Sequence, residues 1–445
     1  MNTRRGAAVL AFLILATVSP AIAFPPIEVA STLDTAFFLS GRGSSRFPSL
    51  GPDGAWVAWY SDAGDLVPDD DNGDIDVFVR EISSGMILCV SVTEEGKPAG
   101  AGGSISCPRG LSVSAGGEFV AFVSYGEDEM PDVLVYNTRT GTTAAVSVNA
   151  EGKAGNGASL SPSISRNGRY VSFMSTASDL VEDDTNGFAD IFVRDLETGT
   201  LERISLGIDG KEADSHSSSP SISWDGRMVA FTSDASNLVA DYHGSGLDVF
   251  VFDRATGRTT LASSVSNGGG GNGDSLTLPS SISGDGRSVL FISDATNLVA
   301  TDTNMSQDLF VRDLASHATL RVSMGDGMTE SSHGAISGAL DFDGRTVVFS
   351  SDSDHLVRGD TNFGADIFLR DLFTRRVELV SRASDGSQVF AESADPSLSG
   401  NGDIILFSAR PFDLLTGKGK DVWEIFVHDR THKKTFWVSA PALRP

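Results

Sequence analysis

The chain has 445 residues, with 33 Lys and Arg against 59 Asp and Glu, so its formal net charge is -26. A chain this acidic repels nucleic-acid phosphates and anionic lipid headgroups, which excludes both as expected partners. Two Cys without a CxxC pair exclude a disulfide scaffold and a thiolate zinc site, while 40% hydrophobic residues suffice for a core.

The first 23 residues have the features of a secretory signal. Arg4 and Arg5 form a short basic region, residues 7–18 are apolar, and residues 21–23 (AIA) form a small-x-small cleavage site. The apolar stretch is shorter than the roughly 20 residues that a spanning helix needs, so we expect no membrane insertion. The sequence therefore predicts an exported protein, periplasmic or secreted.

Seven copies of one unit follow the signal. Each copy has a tetrad like Pro-Ser-Ile-Ser, an Asp-Gly or Asn-Gly turn, and a run such as Arg-x-Val-Ala-Phe. An acidic loop, another strand such as residues 190–196, a turn and a last strand complete the unit. The turn glycines, 51 to 63 residues apart, are Gly54, Gly117, Gly168, Gly226, Gly286, Gly344 and Gly402.

These units predict an all-β fold. The short β-branched and aromatic runs are typical of strands, and Gly in the turns permits the positive φ of tight hairpins. Runs such as residues 289–292 are apolar on both faces, which suits sheets stacked between other sheets. We predict a seven-bladed β-propeller of four-stranded antiparallel blades over residues 45–440, preceded by an N-terminal segment, 24–44, and followed by a tail, 441–445.

The phrase at residues 223–231, Ser-x-Asp-Gly-Arg-x-Val-Ala-Phe with Met at the variable position, resembles the repeat of TolB-type propellers. That family of exported bacterial proteins is related in architecture to WD-repeat propellers. The resemblance implies the fold and not a function, because the wider group includes peptidase-associated propellers, polysaccharide lyases and proteins without an assigned role. TolB itself is six-bladed with an additional domain, so its role does not carry over.

Two segments compete for one outer-strand position in the ring. Residues 36–40 (AFFLS) and 434–438 (KTFWV) both have strand composition, which makes eight candidate outer strands for seven blades. Either segment is able to close the ring, and the sequence does not choose between them.

Antiparallel meanders place the acidic loops and the interblade loops at one end of the ring, here called the long-loop face. The tight turns lie at the opposite end. Lys97, Lys153, Lys211, His216 and His333 fall in the long loops. Since binding residues are frequently found on loops held by a rigid scaffold, we expect the long-loop face to bind any ligand.

Four acidic loops share the pattern Asp-x-Asn-x-x-x-Asp. Carboxylate and amide oxygens at this spacing suit calcium, the predicted cofactor, although Asp and Asn also cap turns without any metal. Both interpretations remain open, and a degraded fifth copy contains Asp241 and Asp248. The predicted metal ligands are Asp70, Asn72, Asp76, Asp184, Asn186, Asp190, Asp302, Asn304, Asp308, Asp360, Asn362 and Asp366.

Two further pairings are expected. Cys89 and Cys107 are able to form a disulfide in an oxidising compartment, although the sequence does not give their distance. Each Arg near the end of a third strand should pair with a neighbouring Asp; these residues are Arg80, Arg194, Arg312 and Arg370.

The sequence contains no catalytic constellation. Neither Gly-x-Ser-x-Gly nor His-Glu-x-x-His occurs, so no catalytic residue is assigned, and the ligand-binding residues stay unnamed. We therefore expect a non-catalytic binding or scaffold module for a protein, peptide or glycan. The alternative is a carbohydrate-active propeller, a lyase or a glycoside hydrolase, which the convergence of His216, His333 and a basic residue would favour.

Overall fold

The computed structural model describes most of the chain after residue 42. The described residues are 43–93, 96–100, 110–125, 130–240, 242, 244, 246–265, 268–326, 330–331, 333–388, 390–413, 418–419 and 422–440. The signal segment 1–23, the candidate strand 36–40, the tail 441–445 and Cys107 lie outside them. In this part of the chain, no helix has the length and apolar character needed to cross a bilayer.

The strands form seven antiparallel sheets, in sequence order, arranged as the blades of a ring. Blade 1 contains β1 (Ser45–Leu50), β2 (Trp56–Ser61), β3 (Asp76–Glu81) and β4 (Ile87–Cys89). Blade 2 contains β5 (Leu111–Val113), β6 (Phe119–Tyr125), β7 (Pro131–Asn137) and β8 (Thr142–Ala145). Blade 3 contains β9 (Ser159–Ile164), β10 (Tyr170–Ser175), β11 (Asp190–Asp195) and β12 (Leu201–Arg203). Blade 4 contains β13 (Ser217–Ile222), β14 (Met228–Ser233), β15 (Asp248–Asp253) and β16 (Arg258–Leu261).

The remaining three blades repeat this order. Blade 5 contains β17 (Ser275–Ile282), β18 (Ser288–Ser293), β19 (Asp308–Asp313) and β20 (Thr319–Arg321). Blade 6 contains β21 (Ala335–Leu340), β22 (Thr346–Ser351), β23 (Asp366–Asp371) and β24 (Val377–Leu379). Blade 7 contains β25 (Phe390–Leu398), β26 (Ile404–Asp413), β27 (Lys418–Gly419), β28 (Glu424–Asp429) and β29 (Lys434–Trp437). The predicted seven-bladed propeller is confirmed.

The core is divided among the interfaces between blades. Seven clusters of buried apolar side chains each join two neighbouring blades, and one of them joins blade 7 to blade 1. Within most blades, an aromatic residue of the second strand stacks on a Phe of the third, as Trp59 does on Phe78 with ring centroids 6.1 Å apart. Both faces of each sheet are therefore buried, which is why the strands lack an apolar and polar alternation.

The Ser-x-Asp-Gly phrase is a turn built from side-chain hydrogen bonds. In blade 4 the Ser223 hydroxyl donates to Asp225 Oδ1 at 2.6 Å and accepts the Met228 N–H at 2.9 Å. The same Asp225 oxygen accepts the Arg227 N–H at 2.9 Å, and Gly226 adopts φ 75°. The phrase therefore recurs because each residue stabilises the hairpin between the first two strands.

A buried pair of a serine and an acid joins the last two strands of every blade. In blade 3 the Ser205 hydroxyl donates to Asp190 Oδ1 at 2.5 Å and accepts the Ile191 N–H at 2.9 Å. This pair keeps the buried carboxylate hydrogen-bonded, as burial requires. The equivalent pairs are Ser91–Asp76, Ser147–Asp132, Ser263–Asp248, Ser323–Asp308, Ser381–Asp366 and Ser439–Glu424.

The third-strand arginines join neighbouring blades. Arg194 donates to the carbonyls of Val146 and Val148 in the preceding blade. Arg80 donates to the carbonyls of Val438 and Ala440 at 2.6 and 2.9 Å. Arg312 donates in the same way to the Ser264 carbonyl. Arg370 donates to the carbonyls of Val322 and Met324. The structure thus places backbone carbonyls where we expected neighbouring Asp carboxylates, because the guanidinium crosses the interface between blades.

Blade 7 has His428 at the position of these arginines. Its Nδ1 lies 2.9 Å from the Thr435 hydroxyl, which donates to the Arg382 carbonyl of blade 6 at 2.5 Å. Burial lowers the pKa of His428 to about 4. A neutral imidazole therefore replaces the guanidinium at this interface.

The low pKa of His428 predicts acid sensitivity. The unfolded chain takes up a proton near pH 6.5 and the folded one only near pH 4, so stability present above pH 6.5 is lost as the pH falls through this window. The variant His428→Phe copies Phe252 of blade 4. Between pH 7 and pH 5 we expect its free energy of unfolding to fall by about 2 kcal/mol less than that of the unmodified protein. Urea unfolding at both pH values measures the difference, and equal losses in the two proteins would contradict the prediction.

Among the described residues, no strand is shared between the two ends of the ring. Residues 434–437 form the outer strand β29 of blade 7, and β1 is the inner strand of blade 1. The junction of these two blades, here called the seam, is held by the Ser45 N–H on the Trp423 carbonyl (2.7 Å), by Arg80 and by the apolar cluster between the blades. Of the two candidates for the outer strand, only this one falls in the described residues.

Candidate functional site

A belt of backbone hydrogen bonds surrounds the channel at the tight-turn end. In most blades a residue of the first hairpin turn bonds the next blade, as the Arg166 N–H does with the Trp224 carbonyl at 3.0 Å. In blade 5 the donor is the Asp285 N–H, which bonds the Phe342 carbonyl at 2.9 Å. Pro52 lacks an N–H, and at that junction the Gly116 N–H donates to the Asp53 carboxylate at 2.6 Å. The belt residues are Pro52, Ala115, Arg166, Trp224, Gly284, Phe342 and Gly400.

The side chains of the belt cover the channel at this end. Trp224 stacks with Phe342 at a centroid distance of 4.8 Å, and the Arg166 guanidinium lies 4.5 Å from the indole. The far edge of the indole contacts Gly400 of blade 7, where an added Cβ would lie 1.9 Å from it. A side chain of blade 4 therefore reaches across the tight-turn end of the ring to blade 7.

Two arginines and an indole cluster at the seam. The Arg46 guanidinium is 4.0 Å from the Trp423 ring and pairs with Asp395 at 3.1 Å. Arg410, 5.8 Å from the same ring, pairs with Glu392 at 3.0 Å. Because all three side chains are only partly buried, the cluster presents two guanidinium groups and an aromatic face to solvent.

An arginine of the fourth strand lies against the predicted metal loop of blade 3. In blade 3, Arg203 Nη1 lies 3.4 Å from Asp184, 3.5 Å from Asp190 and 3.0 Å from Glu212. Burial, opposed by Arg203, raises the pKa of both Asp residues. Asn186 closes the turn, accepting the Phe188 N–H at 2.8 Å and donating to the Ala213 carbonyl at 3.1 Å.

Blade 5 repeats this arrangement. Arg321 pairs with Asp302 at 3.2 Å, with Asp308 at 2.9 Å and with Glu330 at 2.8 Å. Asn304 closes the turn by accepting the Ser306 N–H at 3.1 Å. In both blades the guanidinium occupies the position between the carboxylates, so these two loops do not fit a calcium ion.

Blades 6 and 4 use neutral donors. Gln388 donates to Asp360 at 3.0 Å and to Asp366 at 3.3 Å, and burial raises the pKa of Asp366 to about 7. Asn362 donates to the Phe390 carbonyl at 3.2 Å. In the degraded loop, the Tyr242 hydroxyl donates to Asp248 at 2.6 Å, while residue 241 lies outside the described residues.

Blade 1 has neither a cation nor a glutamine at this position. Asn72 donates to Asp76 at 2.9 Å, and in the described residues no basic side chain lies within salt-bridge distance of Asp70 or Asp76. Burial, then the charges of Asp76 and Asp71, raises the pKa of Asp70 to about 6. Across the described residues, no group of three or more His, Cys, Asp or Glu side chains has metal-binding geometry.

Calcium binding stays a prediction, and the loops of blades 1 and 6 are the ones that lack an arginine. If calcium binds the folded form alone, saturation at about 100 times its dissociation constant adds roughly 2.7 kcal/mol per site. We expect EDTA to lower the melting temperature, and Asp70→Asn to reduce that response. A melting temperature that EDTA leaves unchanged would remove the hypothesis.

The other predicted site residues lie apart from one another in the described structure. His216 Nδ1 accepts the Ala189 N–H at 3.0 Å, and its ring packs on Phe188. The His333 carbonyl accepts the Ser331 hydroxyl, and Lys211 pairs with Asp209. His216 and His333 therefore each serve their own loop.

The Cys89 thiol lies in a polar contact within blade 1. It is 3.6 Å from Asp76 Oδ1 and 3.5 Å from the Ser91 hydroxyl. Burial raises the pKa of Cys89 to about 12, so the thiol is not a nucleophile at neutral pH. The disulfide to Cys107 stays a prediction because Cys107 lies outside the described residues.

Sequence reasoning missed the residues that distinguish one blade from another. Trp224 is the aromatic residue at the variable position of the Ser-x-Asp-Gly phrase, which was a visible signal. Arg203 and Arg321 share one position of the fourth strand, also visible by aligning the copies. Arg46 and Trp423 come from opposite ends of the chain, so only ring closure brings them together.

Comparisons with known proteins concern the fold. No family model and no curated protein matches the chain. Among solved structures, the β-propeller domain of the Trilobed protease from Pyrococcus furiosus matches with a TM-score of 0.55 and 10% identity, covering 91% of this chain and 100% of that one. The acylaminoacyl peptidase of Pyrococcus horikoshii matches with a TM-score of 0.52 and 10% identity over 93% of this chain and 54% of that one. TolB from Acinetobacter baumannii matches with a TM-score of 0.40 and 15% identity over 88% and 77%.

These matches correct the expected function. A non-catalytic binding or scaffold module for a protein, peptide or glycan, with a carbohydrate-active enzyme as the alternative, was the expectation from sequence, and it is wrong. Five matched structures with TM-scores above 0.5 are of a protease, prolyl endopeptidases, an acylaminoacyl peptidase, a puromycin hydrolase and a puromycin-hydrolyzing peptidase, and none of these five points to a carbohydrate. The chain spans about half the length of the peptidases, between 49% and 58%. At these identities the similarity is one of fold, a seven-bladed β-propeller like those found in peptidases.

Proposed function

We propose that this chain is a peptidase-associated propeller, which works with a peptidase unit and limits the peptides that reach it. The observation that carries the proposal is the seam, where no strand in the described part of the chain is shared between the ring ends. The propeller of the Pyrococcus furiosus protease is likewise described as having an open velcro topology.

The geometry of the channel supports this role. Trp224 and Phe342 pack together across the tight-turn end, while Arg46, Arg410 and Trp423 form a partly exposed cluster at the seam. A peptide that passes this cluster would meet guanidinium groups suited to its carboxylates and an indole suited to its apolar side chains.

Peptidase activity is the test. The tagged protein is incubated with an extract of its source cells, washed, and assayed with quenched-fluorescent peptides and with native ribonuclease A. We expect the retained fraction to cleave the short peptides and leave the folded protein intact. The matched control is the same tagged chain after unfolding by heat. If the folded chain retains no more peptidase activity from the extract than this control does, the proposal is overturned.

Export belongs to the same proposal. It is supported by the basic and apolar segments of residues 1–23 and by the small residues at 21–23. The intact mass of the protein from its source cells is expected to lack the first 23 residues, and a mass that includes them would contradict export through this segment.

A further inference from the structure

A cleft of about 880 Å³ runs along the outer strand of blade 4, on the rim of the ring. Phe252 lines it, at the position where Arg80, Arg194, Arg312 and Arg370 reach across to the preceding blade. No guanidinium of the third strand therefore crosses from blade 4 to blade 3 at this cleft. Blades 2 and 7 also lack the arginine, with Tyr136 and His428 at this position.

The lining of this cleft is apolar and cationic. Ile208 is 66% exposed and faces it together with Leu238 and Leu261. Arg258, Arg312 and His317 also line it, and among the described residues no Asp or Glu does. Arg258 has no ion-pair partner within the described part of the chain. Charge complementarity therefore favours an acidic occupant.

The edge of β16 offers backbone groups to such an occupant. Thr259 lies opposite Phe252 and Leu261 opposite Phe250, and in each blade the residues at these two positions direct their N–H and C=O away from the third strand. No described residue accepts the Thr259 N–H. An extended segment lying in the cleft would pair with this edge as a fifth strand.

Two other blades show how the same edge N–H is satisfied. In blade 6, Val377 takes the place of Thr259, and its N–H donates to the Asp326 carboxylate at 3.1 Å. In blade 7, the Thr435 N–H donates to the Ser384 hydroxyl at 3.0 Å. Asp326 and Ser384 occupy the position of Ile208, whose side chain accepts no hydrogen bond. The blade 4 edge therefore lacks the internal acceptor that closes the edges of blades 6 and 7.

We propose that the cleft beside β16 binds an extended peptide segment of a partner protein, with alternating apolar and acidic side chains, by strand addition. The apolar side chains of the segment pack on Ile208, Leu238 and Leu261. Its carboxylates pair with Arg258 and His317, and its backbone completes the hydrogen bonds of Thr259 and Leu261. This surface lies on the rim, away from the channel, and does not depend on the proposed function.

The test measures binding of a fluorescein-labelled, capped Val-Glu-Val-Glu-Val peptide by fluorescence polarisation, using the full chain. We expect Ile208→Asp, which copies Asp326, to weaken binding by about tenfold or more by occupying the Thr259 N–H. Arg258→Glu should weaken it similarly. Met305→Asp, an equal charge change at a side chain that is 91% exposed in blade 5, is the matched control and should bind like the unmodified chain.

Two further peptides distinguish strand addition from unspecific attraction. A Val-Lys-Val-Lys-Val peptide and a backbone N-methylated acidic peptide should both bind at least about tenfold more weakly. Amide exchange at residues 258–261 should slow when the acidic peptide binds. No binding of the acidic peptide up to about 1 mM, or equal binding by Ile208→Asp, would overturn the proposal.

Discussion

Replacing Arg321 by Ala is expected to lower the free energy of unfolding by about 3–5 kcal/mol, because it leaves an uncompensated pair of buried carboxylates. The Arg321 side chain is 2% exposed and lies between Asp302 and Asp308, themselves 2% and 0% exposed. Burial already raises the pKa of both acids, so their charges depend on the guanidinium. Urea unfolding at pH 8 measures the loss.

Arg227→Ala is the matched control for this measurement. Arg227 also pairs with an Asp, Asp253, at 2.7 Å, but its side chain is 52% exposed. An exposed pair contributes little, so we expect a loss of less than about 1 kcal/mol. Losses of similar size in the two variants would show that burial does not set the strength of the Arg321 contacts.

Replacing Arg80 by Ala is expected to weaken the seam, with a loss of about 2–4 kcal/mol in stability, because two buried carbonyls lose a charged donor. Arg80 is 4% exposed and bonds the carbonyls of Val438 and Ala440. Since no described strand is shared between these blades, the opening should be local. Hydrogen exchange should accelerate in β1 and β29 more than elsewhere.

Arg194→Ala tests whether this effect belongs to the seam. Arg194 makes the equivalent contacts between blades 2 and 3, within the continuous chain of the ring. We expect a comparable loss of stability without faster exchange in β1 and β29. The same exchange pattern in both variants would contradict a weak seam.

The acidic loops illustrate where sequence reasoning reached its limit. Their recurrence marked one position in several blades. The acid at this position, an Asp in six blades and Glu424 in blade 7, accepts a hydrogen bond from a serine, but its second neighbour differs between blades. The side chain that contacts the last Asp of the acidic loop comes from a different element in different blades. It is Arg203 in blade 3, Tyr242 in blade 4 and Gln388 in blade 6. Spacing along the chain does not reveal which side chain arrives from a neighbouring strand or loop.

The repeat by itself determined the number of blades, the four-stranded meander and the apolar faces. Those properties follow from local strand and turn chemistry, which is repeated seven times along the chain. The tertiary structure alone decided how the ring closes, which end of the ring Trp224 reaches across and where the cleft beside Phe252 lies. These features depend on contacts between residues distant in sequence, which form only when neighbouring blades pack together.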